Sequence, residues 1–167
     1  MSWAHLHLAL NHVPVVGLPI VLLLLAWAIL RRSAELLKAS FGLMILLAVV
    51  TVIVQLTGEP AEELVEGLPG VVESMVETHE ESALLGTIGL VVIGVIALFG
   101  LWRLGTGKVL PQWYSTIVLI AGIVVAGLMV WIANLGGQIR HSEIRRTASA
   151  SVERRVGESA PVYYAVW

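Results

Sequence analysis

The 167-residue chain has no cysteine and no aspartate, only two phenylalanines, and 13% charged residues. Without thiols there is no disulfide, thiolate zinc site, cysteine-ligated iron–sulfur cluster or covalently attached haem. Any metal or haem must be held by His, Glu or Met. Charge is also absent by region. Of the 12 acidic residues, all glutamate, eight lie between Glu59 and Glu81, a stretch without Lys or Arg. No broad basic surface exists, so nucleic acid is not an expected partner. What fills the chain instead is apolar: 57% hydrophobic residues and a mean hydropathy of +0.89. That balance belongs to integral membrane proteins, whose partner is the lipid bilayer.

Crossing a bilayer as a helix takes about 20 apolar residues, and four segments qualify, near 13–30, 39–57, 83–102 and 113–135. The expected fold is therefore all-α: a four-transmembrane-helix bundle over 1–145, followed by a flexible tail over 146–167. The first segment has no basic leader or small-residue cleavage site, and Arg31-Arg32 follow it, so it reads as a retained helix. Pro14 suits the first turn of that helix, whereas Pro19 predicts a kink in the second. The long 58–82 connection reads as a short helix (61–67), a break at Pro69-Gly70, and an amphipathic helix from Val71. In the latter, Val72, Met75, Val76 and His79 recur at helical spacing, with Glu73, Glu77 and Glu80 facing elsewhere. Ser82/Gly86 and Gly122/Ala126 are small-residue pairs suited to close helix approach. Gly136-Gly137 predicts an end or loosening of the fourth helix.

Four spans put both termini and the acidic connection on one side. The opposite side carries Arg31, Arg32 and Lys38 in one loop and Arg103 and Lys108 in the other. By the positive-inside rule those loops are cytoplasmic and both termini lie outside. All five histidines, His5, His7, His12, His79 and His141, then share the outer face, together with Glu59, Glu62, Glu63, Glu80 and Glu81. On a continuous helix His5 and His12 share one side and His7 and Asn11 another. The expectation is that His12, with His5, points into the bundle and His7 toward a different neighbour.

Imidazoles on facing helices of a bundle hold b-type haem or a transition-metal ion. His12 and His79 are the expected axial ligands, with His7 and His141 a second pair, giving one or two haems. Alternatively, one or more Zn, Cu or Fe ions take His7, His12, His79 and His141 with Glu80 or Glu81, which also suit hydrogen bonding that orients an imidazole. The bland alternative for each His is a polar side chain snorkelling to the interface, and for the Glu run a solvated face.

The motif His7-x4-His12-x-Pro14 opening the first of four membrane helices, with a His after the second helix, resembles a domain-of-unknown-function family of predicted bacterial membrane proteins. Its members resemble H-P-x3-H-F-P at this place, from which the present chain departs at Leu8 and Val13. The resemblance implies a four-helix protein of the bacterial cytoplasmic membrane that binds haem or metal in a respiratory setting. Together the readings predict a small electron-transfer protein rather than a stand-alone enzyme, working with a redox partner or a larger respiratory complex, or as a homo-oligomer. The rivals are a divalent-metal-binding membrane protein and a cofactor-free structural subunit.

Overall fold

A computed structural model describes residues 3–62 and 71–140. They form six helices: α1 (Trp3–Leu10), α2 (His12–Arg31), α3 (Ala34–Leu56), α4 (Gly58–Glu62), α5 (Glu73–Gly105) and α6 (Gln112–Arg140). Four helical stretches are long and apolar enough to cross a membrane: His5–Arg31, which joins α1 to α2, and the stretches in α3, α5 and α6. The chain is an all-α, multi-pass membrane bundle.

Three boundaries differ from the sequence expectation, each for a local reason. The first helical stretch begins ten residues earlier, because Trp3–Leu10 holds only helix-compatible residues and Pro14 sits where a proline is tolerated, in the first turn of α2. The amphipathic segment from Val71 is not a separate helix. Between Glu73 and Ser82 there is no Gly or Pro to stop propagation, so it continues into the third span as one 33-residue helix. The paired glycines 136 and 137 do not end α6, which runs to Arg140. The expected break at Pro69-Gly70, the end of the 61–67 helix and the 146–167 tail lie outside the described residues.

Consecutive spans pack as neighbours, and α6 closes the ring against α2, so α2 and α5 stand on a diagonal. Each span buries about one side. In α6 the buried positions Ser115, Val118, Val125, Met129 and Ile132 step by three, four or seven residues, the heptad rhythm of a left-handed bundle. Leu18, Leu25, Phe41, Met44 and Leu90 are fully enclosed at mid-depth. The opposite faces are equally apolar, with Ile20, Leu23, Leu30, Val95 and Val124 at least 60% exposed, as lipid contact requires. Buried hydroxyls answer to their own helices. Ser40, Thr51 and Ser82 donate to the carbonyls of Leu36, Leu47 and Thr78, four residues back.

α3 and α5 cross closely. A Cβ placed on Gly94 would stand 2.5 Å from Ala48 Cβ, well inside van der Waals contact, so only glycine lets these backbones approach as they do. At the basic end, Arg31 lies 5.5 Å from the Trp27 ring centroid, a cation–π pair of the kind found at membrane interfaces. Along α6 the rise from Trp113 to Trp131 is about 27 Å at 1.5 Å per residue, close to the hydrocarbon thickness of about 30 Å. These two tryptophans therefore bracket the apolar slab.

Candidate functional site

The seams change character at the end of the bundle away from the basic loops. Stepping back by heptads along the first helix, the buried positions Leu25 and Leu18 lead to Asn11, and Val21 and Pro14 lead to His7. On α5 the same walk from Gly100 through Ile93 and Gly86 arrives at His79. Apolar seams on the diagonal helices thus terminate in His7 and Asn11 on one side and His79 on the other. Gly136 of α6, against which His79 packs, lies about 8 Å beyond Trp131 along its helix. This places the layer near the bilayer interface, where polar side chains reach water and headgroups.

His7 is half-buried between its own helix and the end of α3. Its Nδ1 lies 3.2 Å from the Val54 carbonyl and 3.2 Å from Thr57 Oγ1. The Thr57 hydroxyl spends its single proton on the Val54 carbonyl, at 2.8 Å. The proton in the His7 contact must then come from the imidazole. Nδ1–H donates, and Nε2 carries the free lone pair. A backbone carbonyl holding one imidazole nitrogen and leaving the other free is the arrangement that prepares histidine to bind a metal.

His79 of α5 packs against α6. The ring lies within reach of the Ile132 carbonyl, and its Nδ1 is buried without a hydrogen-bond partner. In the tautomer protonated at Nε2, that Nδ1 carries a free lone pair. The ring lies flat on the backbone at Gly136, where an added Cβ would meet Cε1 at 3.0 Å and Nδ1 at 3.4 Å. His7 and His79 are within electrostatic range of one another. Asn11 adds a second unanswered atom, its Oδ1 being buried with no partner. About two turns deeper along α5, Thr87 donates to Gln55 Oε1 of α3 at 3.0 Å. Beneath it Leu18, Met44 and Leu90 are completely enclosed, which confines the polar layer to one end.

The other expected site residues stand apart from this layer. His12 does not point into the bundle. It is exposed, and its Nδ1 turns back to the Leu8 carbonyl at 2.9 Å. The heptad phase explains the reversal: the first helix does present two sides, but the side carrying His7 and Asn11 continues the buried seam, and the one carrying His5 and His12 faces out. His12 is therefore turned away from His79, whereas His7 lies within electrostatic range of it. Glu80 and Glu81 are exposed on the outer side of α5, with Glu80 near enough to influence His79 electrostatically. His141 lies outside the described residues. Among the described residues no group of three or more His, Cys, Asp or Glu side chains converges. Asn11 was expected only to share a side with His7 and not to be a site residue, yet its heptad spacing from Leu18 and Leu25 marks it.

Compared with family models, curated proteins and solved structures, the chain matches none. The site's chemistry must be read from its own residues.

Proposed function

We propose that this protein is a membrane-embedded metal-binding protein that holds a first-row transition-metal ion between His7 and His79, in a redox or metal-handling role. The observation that supports the reading is the state of the two rings. His7 has Nδ1 committed to a backbone carbonyl, and His79 has Nδ1 buried without a partner, in a layer where an unmet polar atom is costly. Imidazole nitrogen suits zinc, copper, iron or nickel. The basic loops on the opposite side support a periplasmic position for the site in a bacterial inner membrane, and the first-helix motif resemblance points the same way. A carrier of this kind would serve a redox partner or a larger respiratory complex, alone or as a homo-oligomer.

The second reading is a b-type haem electron carrier. Its support is that two imidazoles, all that the described residues bring to the layer, are the protein's whole share of a bis-imidazole haem. Against it stands the free nitrogen of His79. Nδ1 adjoins Cβ, so the face of a porphyrin bound there would meet the side chain's own stem, while a bare ion would not.

Purification of the full-length chain in detergent, with elemental analysis and a visible spectrum, separates the readings. Bound zinc, copper, iron or nickel near one per chain and no Soret band supports the ion. A Soret band lost in His7→Ala and His79→Ala supports haem. A colourless preparation that holds no metal, even after incubation with zinc, cobalt, copper or haem, refutes both.

A further inference from the structure

We infer that Asn11 is a third ligand of the site, its Oδ1 joining His7 and His79 around a divalent first-row cation; this rests on the metal reading above. Asn11 sits one step inward from His7 on the same seam, four residues on, so the two side chains emerge from one side of the helix. Its Oδ1 and His79 Nδ1 are the two buried side-chain atoms without a partner among the described residues. Asn11 Oδ1 and His7 Nε2 are lone-pair donors, and His79 Nδ1 is a third in the tautomer protonated at Nε2. An anion or a hydrogen-bond acceptor would leave all three unanswered. A cation answers them together.

The donor set also selects the cation. Two imidazole nitrogens with one amide oxygen are borderline ligands, favouring Zn²⁺, Co²⁺, Ni²⁺ or Cu²⁺ over the hard ions Mg²⁺ and Ca²⁺, which take oxygen ligands, and over Cu⁺, which seeks sulfur. Three protein donors leave a coordination position open, the arrangement found in metal sites that exchange a ligand rather than in closed structural ones.

The test is titration of the detergent-solubilised full-length chain with Zn²⁺ by calorimetry and with Co²⁺ by its visible ligand-field bands. Asn11→Leu is expected to weaken Zn²⁺ binding at least tenfold, since loss of even an outer hydrogen-bonding partner costs a metal site about 10–100-fold. It is also expected to alter the Co²⁺ bands. Asn11→Asp, which supplies a charged oxygen at the same place, is expected to bind Zn²⁺ more tightly than wild type. If Asn11→Leu keeps wild-type affinity and bands while His79→Leu abolishes them, Asn11 is not a ligand although the metal reading survives. If wild type binds neither ion, both fail. Should Asn11→Leu not fold, as judged by helical signal and elution volume, Asn11→Asp decides alone: tighter binding supports the assignment, and unchanged or weaker binding overturns it.

Discussion

Replacing His79 by leucine should make the metal-free protein more stable while destroying its site. In the wild type, Nδ1 is buried without a partner, a penalty of about 1–3 kcal/mol. Leucine removes that atom. It also removes the ring's attraction to the nearby Ile132 carbonyl, worth at most about 1 kcal/mol. That carbonyl lies inside α6 and keeps its helical partner, so no new orphan appears. The balance is a gain of about 0–2 kcal/mol without metal, or a few degrees in Tm at about 2–4 °C per kcal/mol for a chain of this size. With metal the order reverses. A ligand at a hundred times its Kd stabilises the wild type by about 2.7 kcal/mol, and the variant gains nothing. The assay is thermal unfolding in detergent, followed by helical signal, first with chelator and then with Zn²⁺. His79→Gln is the control, since it keeps a buried polar group and should show no gain with chelator. A His79→Leu protein less stable than wild type by more than about 1 kcal/mol in chelator would refute the reasoning. In that case the ring is already satisfied, and it contributes packing rather than an open lone pair.

Two further outcomes test the frame that carries the site. Gly94→Val should lower stability by about 1–3 kcal/mol, the usual cost of overpacking. The added Cβ would stand 2.5 Å from Ala48 Cβ, an atom fixed to the backbone that cannot swing away; unchanged thermal unfolding would mean that α3 and α5 do not cross here. In intact cells, a membrane-impermeant thiol reagent should label a cysteine placed at Glu77 and not one placed at Lys108, and the opposite pattern would put the histidine layer inside.

The sequence alone determined that the chain lives in a bilayer, how many times it crosses, and that His5, His7, His12 and His79 fall at one end of the bundle. Those properties follow from the length and order of apolar runs, which are local. Tertiary structure decided which imidazoles turn inward. In a soluble helix, hydrophobic periodicity marks the buried face, but here the lipid-facing side is as apolar as the core, so Leu23 and Leu25 read alike though one is exposed and the other enclosed. Without that signal, His12 beside Pro14 appeared the better candidate, and only the packed heptad phase turned His7 and Asn11 inward. The extent of α5 was similarly hidden, because the change from amphipathic to apolar composition near Ser82 alters what surrounds a helix without ending it. The state of the His7 ring depended on Val54 and Thr57, which are far away in sequence and reach it only once the bundle closes.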